Sequence, residues 1–250
     1  MNTVLITGAS GKVGRIITKN FLESGDIVIA IARTEKSLLA LKDYCQPVSK
    51  KLHIIAIDLL NDSSIDFIKK EIISHKLLPN ILINNARSID NLKTDENCYV
   101  KPENFVNEFN IGVVIPYVLS NSLVESFPTM RQIINIGSIY GEVAVNPSLY
   151  LSEKERSPIH YGVTKAALSH LTKELAVRYA NKQIRVNCIA YGGIEGRVDE
   201  GFKKRYAKLC PSGSMLSEKD IFGPLQLITS EKSSGINGHT LLVDGGWTIW

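Results

Sequence analysis

A short apolar run, Thr3-Val4-Leu5-Ile6-Thr7, breaks at once into Gly8-Ala9-Ser10-Gly11-Lys12-Val13-Gly14 and then into an amphipathic stretch reaching about Ser24. A strand, a glycine turn and a helix N-terminus in that order leave unpaired backbone N–H groups and a helix dipole aimed at the turn, which suits an anion such as a pyrophosphate. The phosphate-binding loop of nucleotide hydrolases is excluded. It requires Ser or Thr after its Lys, whereas Val13 follows Lys12. A plain glycine-rich turn is the competing reading of this stretch alone. Two further apolar runs, 27–32 and 52–57, flank a helical stretch over 36–44. Near-continuous apolar strands alternating with helices predict a parallel sheet covered on both faces, the Rossmann pattern.

The second strand of such a unit ends in an acid when the cofactor is NAD, because a carboxylate takes the ribose 2'-hydroxyl. Here it ends Ala32-Arg33-Thr34. Arg33 suits a 2'-phosphate and Lys12 is placed to reach the same region, so NADP is preferred and NAD is the alternative. A solvated loop residue is the competing reading of Arg33. A helix over 63–75, a strand over 81–83 and the turn Asn84-Asn85-Ala86-Arg87 follow. Residues 102–127 read as a long helix interrupted near Pro116, with Asn110 in its middle. Asn is a poor helix-interior residue, so its presence points either to use or to a buried structural amide.

A fifth apolar strand, 132–136, runs into Gly137-Ser138-Ile139-Tyr140-Gly141. Residues just past the carboxyl ends of strands face the ligand crevice of a doubly wound sheet, which places Ser138 where chemistry occurs. Tyr161 and Lys165 stand four residues apart at the head of a helix reaching about residue 180, so a hydroxyl and an ammonium lie one above the other. An ammonium fixed beside a phenol favours loss of the phenolic proton, and the pair suits acid–base work. Strands over 184–189 and 240–243 complete a seven-stranded sheet.

Length and charge narrow the class. A single α/β domain of 250 residues buries about three quarters of its unfolded surface. The net charge of +4 comes from scattered Lys and Arg rather than a basic run, which argues against nucleic acid as a partner and leaves anionic small molecules open. Cys45, Cys98, Cys188 and Cys210 show neither a C-x-x-C pair nor metal spacing, so no metal is expected and reduced, buried thiols are. No apolar run approaches the roughly 18 residues that span a bilayer. With no basic-then-apolar leader before the first strand, the expectation is a soluble cytoplasmic protein with no membrane partner.

Taken in order, the Thr7-Gly8 turn, Asp58-Leu59, Asn84-Asn85-Ala86, Asn110, Ser138, Tyr161-x-x-x-Lys165, Arg185-Val186-Asn187 and Val243-Asp244-Gly245-Gly246 resemble the short-chain dehydrogenase/reductase family. The resemblance spans essentially the whole chain. It implies a single-domain Rossmann fold and a hydride-transfer enzyme interconverting a secondary alcohol and a ketone. In that reading Tyr161 is the general acid/base, Ser138 polarises the substrate carbonyl, Lys165 serves both Tyr161 and the nicotinamide ribose, and Asn110 holds a proton-relay water. The cofactor site implied comprises Gly8, Ser10, Gly11, Lys12, Val13, Gly14, Arg33, Asp58, Leu59, Asn84, Asn85, Ala86, Tyr161, Lys165, Tyr191, Gly192 and Ile194. A homotetramer or homodimer is implied as well.

Three departures stand out. Lys12 replaces a usual Gly, Arg87 replaces the usual Gly after Asn-Asn-Ala, and Tyr191 replaces the usual Pro before Gly192-Gly193. The gap from Ser138 to Tyr161 is also longer than the family norm. Its extra residues, within 146–158, and the ending Asp244-Gly245-Gly246-Trp247-Thr248-Ile249-Trp250 resemble the subgroup associated with flagellin modification and surface-glycan sugar biosynthesis. That implies a sugar derivative as substrate and a substrate-facing flap at 146–158, with Tyr150 joining Ser138 and Tyr161 in binding it. A polar loop without function is the alternative for the flap. Two other functions stay open: a non-catalytic nucleotide-binding scaffold or sensor, and an epimerase or dehydratase with tightly held cofactor.

Overall fold

A computed structural model describes residues 1–196 and 198–249. Trp250 of the closing motif lies outside the described residues. Seven strands, β1 (Thr3–Thr7), β2 (Ile27–Ala32), β3 (Leu52–Ala56), β4 (Ile81–Asn84), β5 (Gln132–Ser138), β6 (Arg185–Tyr191) and β7 (Thr240–Val243), form one sheet. Their order is β3-β2-β1-β4-β5-β6-β7 and each neighbouring pair is parallel. The expected single-domain, doubly wound fold is the one observed. Order reverses beside β1, so the carboxyl ends of β1 and β4 open the crevice where ligands bind in such sheets.

Strand periodicity divides the core in two. Val4 and Ile6 of β1 and Val28 and Ala30 of β2 point to one face, while Leu5, Ile29 and Ile31 point to the other. The first face is covered by α1 (Lys12–Glu23), α2 (Glu35–Tyr44) and, late in the chain, α8 (Phe222–Thr229), through Ile16, Ile17, Phe21, Leu38, Leu225 and Ile228. The second is covered by α3 (Ser64–Ser74), α5 (Ile115–Ser126) and α6 (Ile159–Arg178), through Ile68, Ile72, Leu119, Leu123 and Leu175. A third cluster, away from the sheet, joins Leu149, Tyr206, Cys210, Met215 and Trp247 around α7 (Glu200–Leu209).

The long helix expected over 102–127 is differently divided. It consists of α4 (Pro102–Phe109), a π turn over Asn110–Val114, and α5, so the interruption falls at Asn110 rather than at Pro116. The wider turn comes first and sets Pro116 in the first turn of α5, where a missing N–H costs little. β5 also runs beyond the expected residue 136 to Ser138, which makes Ser138 the end of a strand rather than part of a loop. Cys45, Cys188 and Cys210 are buried and Cys98 is half-buried; all four thiols are free.

Candidate active site

At the glycine turn the backbone itself does the building. Gly8 has φ +63°, and a Cβ there would lie 2.8 Å from the Ala86 Cα, so both conformation and space demand glycine. A Cβ at Gly14 would overlap the Gly8 carbonyl oxygen, which shows that Gly14 lets α1 seat directly on the turn. The Asn85 side-chain amide donates to the Thr7 and Gly8 carbonyl oxygens, each at 3.0 Å. The Thr7 hydroxyl accepts from the N–H groups of Asn85 and Ala86 at 3.0 and 3.1 Å. These bonds stitch the turn after β1 to the turn after β4. Gly11 caps α1 without any side-chain hydrogen bond, and the N-terminus of α1 points its backbone N–H groups and its dipole at the turn. A dinucleotide pyrophosphate fits this donor set.

From that turn a cavity of about 470 Å³ runs along the carboxyl edge of the sheet. Its walls include Ser10, Lys12, Val13, Arg33, Asp58 and Leu59 at the dinucleotide end, and Ser138, Tyr161, Lys165, Tyr191, Gly192 and Ile194 beyond. The Lys12 ammonium donates to the Ile194 carbonyl oxygen at 3.5 Å, tying the turn to the segment after β6. Arg33 forms an ion pair with Asp90 at 3.6 Å, and both side chains are largely exposed. The Asp58 carboxylate accepts from the Leu60 N–H at 3.0 Å, a local turn that holds the loop after β3.

The reaction end is made of side chains. Lys165 is buried on α6 and donates to the Ile136 carbonyl oxygen near the end of β5 at 2.7 Å, with its Nζ 5.9 Å from the Tyr161 ring centroid. Ser138 accepts from the Tyr140 N–H at 3.2 Å through Oγ, which orients the hydroxyl at the strand end. The Arg87 guanidinium lies 5.0 Å from the Tyr161 ring centroid on another wall of the same cavity. Hydroxyl, phenol and ammonium thus share one cavity with an anion site at its far end.

Four expected residues stand off the cavity wall. Gly14 acts in packing, as above. Asn84 is buried and donates to the Asn135 Oδ1, whose own amide donates to Thr172 Oγ1, each at 2.9 Å, so this amide ties β4 and β5 to α6. Asn110 opens the π turn, a distortion frequent at functional sites. Tyr150 meets the Tyr140 hydroxyl at 2.8 Å and packs edge-on against Phe202 at 5.6 Å, within the third cluster. Burial pushes both phenols, Tyr140 and Tyr150, up from their ordinary range. The 146–158 segment is anchored by fully buried Leu149, whose carbonyl oxygen accepts from Arg205 Nε at 2.8 Å. Its charged residues Glu153 and Arg156 pair with each other at the surface.

The closing motif supports the cavity from behind. Asp244 accepts from the N–H groups of Gly246 and Thr248, which sets Trp247 stacked on Tyr206 at 4.3 Å. Tyr206 in turn accepts from the Gly193 N–H at 2.9 Å, next to the cavity wall at Gly192. Sequence reading missed Glu108, which is buried on α4 with its Oε2 unpartnered. Burial raises its carboxyl above the usual range, against an opposing pull from Lys165 and Arg87. No sequence signal marks it, because a Glu in an amphipathic helix reads as surface. Arg87 carried a signal, an Arg in place of a Gly.

A family model described as enoyl-(acyl carrier protein) reductase matches residues 8–248. Among curated proteins the chain is similar to post-translational flagellin modification protein A of Campylobacter coli, with 28% identity over 98% of each chain. Among solved structures it resembles a short chain dehydrogenase from Leptospira borgpetersenii with bound NAD+, with 30% identity, a TM-score of 0.86, and coverage of 99% of this chain and 92% of the other. It also resembles a 4-hydroxyisoleucine dehydrogenase complexed with NADH and succinate, with 26% identity, a TM-score of 0.84, and coverage of 99% and 100%.

Proposed function

The chain belongs to the short-chain dehydrogenase/reductase family and is a nicotinamide-dependent oxidoreductase, and we propose that it interconverts a secondary alcohol and a ketone on a sugar derivative. The observation that carries this reading is the meeting of Ser138, Tyr161 and Lys165 in one cavity with the glycine turn and the N-terminus of α1. When bound, the nicotinamide carries the hydride. Ser138 Oγ donates to the substrate oxygen and holds it toward Tyr161. The Tyr161 hydroxyl gives that oxygen a proton in reduction and takes one in oxidation. Lys165, fixed by the Ile136 carbonyl, sets its ammonium beside the phenol and within reach of the nicotinamide ribose. Asn110, at the π turn, holds water for proton exchange.

Arg33 and Lys12 support NADP as the preferred cofactor. The exposed Arg33–Asp90 pair contributes little in water, so a 2'-phosphate competes for the guanidinium on favourable terms. The flagellin-modification relative supports a sugar derivative of surface-glycan biosynthesis as substrate. The free cysteines support a reducing cytoplasm. Exposed Val106, Tyr117, Val118 and Val163 on α4, α5 and α6 support a homodimer or homotetramer, which sedimentation velocity tests. Oxidation of NADPH and NADH against a panel of keto sugars tests the activity. A panel-wide absence of turnover would count against it.

A further inference from the structure

We propose that Arg87 binds an anionic group of the substrate, a carboxylate or a phosphate, while Tyr161 serves the reacting carbonyl. The proposal rests on the reading of Tyr161 as the proton-transfer residue. Arg87 follows the turn after β4, at the crevice where the strand order reverses. Its guanidinium sits over the Tyr161 ring at 5.0 Å, so whatever it holds lies beside the reacting atoms. A cation over a ring uses its charge but not its in-plane N–H donors. Among the described residues those donors make no protein hydrogen bond, and no carboxylate forms an ion pair with the side chain. An Arg with its planar fork unspent on a reaction-cavity wall matches a carboxylate or phosphate.

The other cations along the cavity are differently placed. Lys165 donates to the Ile136 carbonyl oxygen, Arg33 pairs with Asp90, and Lys12 reaches the Ile194 carbonyl beside the glycine turn. Asp58 is the acid on the cavity wall, and its carboxylate accepts from a backbone N–H. Cations line the cavity at both ends, and the buried Glu108 carboxyl near Lys165 and Arg87 offsets them only when ionised, which its burial opposes. Cofactor phosphates answer to the charge at the dinucleotide end, and a substrate anion answers to Arg87. A glycine at this position, as the family resemblance leads one to expect, has no side chain to reach Tyr161. The competing occupant is the cofactor's own pyrophosphate, because Ala86 abuts Gly8.

The test compares wild type with Arg87→Ala and Arg87→Lys on matched substrates. These are keto acids and phosphorylated keto sugars, each beside its neutral methyl ester or unphosphorylated form. Arg87→Ala should raise KM for the anionic member by roughly ten- to a hundredfold, the worth of a charge-assisted contact. The loss should be at least about tenfold larger than for the neutral member, with partial recovery in Arg87→Lys. Succinate and inorganic phosphate, titrated calorimetrically into the NADPH complex, separate the two sources. The tighter of the two in wild type names the group, and its affinity should fall in Arg87→Ala. Equal losses for anionic and neutral members overturn the proposal, as does a weakened NADPH Kd in place of a raised KM. If wild type transfers no hydride to any panel member yet binds succinate or phosphate through Arg87, the anion site stands and the reading of Tyr161 falls.

Discussion

The two ends of the cavity are built from different materials. At the dinucleotide end, position is set by backbone: Gly8 at positive φ, Gly14 under the turn, and Thr7 and Asn85 bonding main-chain groups. At the reaction end, position is set by side chains from distant segments: Lys165 reaching back to Ile136, Arg87 over Tyr161, and Tyr206 between Trp247 and Gly193. A backbone cradle accepts any dinucleotide of the right shape, whereas a side-chain end is re-specified by single exchanges. The scaffold can thus keep its cofactor while changing its substrate.

The largest effect separates the two ends. Tyr161→Phe removes only a hydroxyl, so kcat should fall on the order of a hundred- to ten-thousandfold while NADPH Kd moves by less than about threefold. Stopped-flow turnover and fluorescence titration read the two quantities. A parallel collapse of cofactor binding would mean that the ends are one unit. Arg33→Ala acts on the opposite side of the comparison. It should weaken NADPH by roughly ten- to a hundredfold and leave NADH nearly unchanged, as loss of a charge-assisted contact requires. Equal losses for both cofactors would remove Arg33 from the 2'-phosphate.

What was legible from sequence follows the same division. Glycine spacing, apolar strand runs and turn residues are local signals, so the sheet, the turn at Gly8 to Gly14 and the place of Ser138 could be read directly. The π turn at Asn110 could not, because the apolar pattern over 102–127 reads as one helix whether or not it widens at Asn110. Tyr150 was expected at the substrate, but its hydroxyl meets Tyr140, ten residues before it, and its ring meets Phe202, on a segment about fifty residues further on, contacts that no local pattern announces. Asn84 reads the same whether it serves a cofactor or joins β4 to β5.

Two smaller effects sharpen the reaction end. Tyr150→Phe deletes a neutral hydrogen bond, so stability should drop by about 1 kcal/mol with KM altered by less than about threefold. A large rise in KM with unchanged stability would return Tyr150 to the substrate. Glu108→Gln probes the buried carboxyl. Burial raises its folded-state pKa above the unfolded value, so protonated Glu108 costs nothing extra at acid pH and the charged form costs stability as pH rises. The variant should therefore match wild type below about pH 4 and become the more stable protein as pH climbs above the ordinary carboxyl range, read from urea midpoints. An advantage confined to acid pH would contradict this sign.

The central claim is that a hydride passes between nicotinamide and a carbonyl carbon in this cavity. It is tested most directly with NADPH deuterated at the transferable position, offered with the keto-sugar panel, and mass spectrometry of the products. The account expects wild type to place the deuterium on the new carbinol carbon and Tyr161→Phe to form that labelled alcohol on the order of a hundred- to ten-thousandfold more slowly. Labelled product from Tyr161→Phe at the wild-type rate, or an alcohol product of wild type without the label, would contradict it.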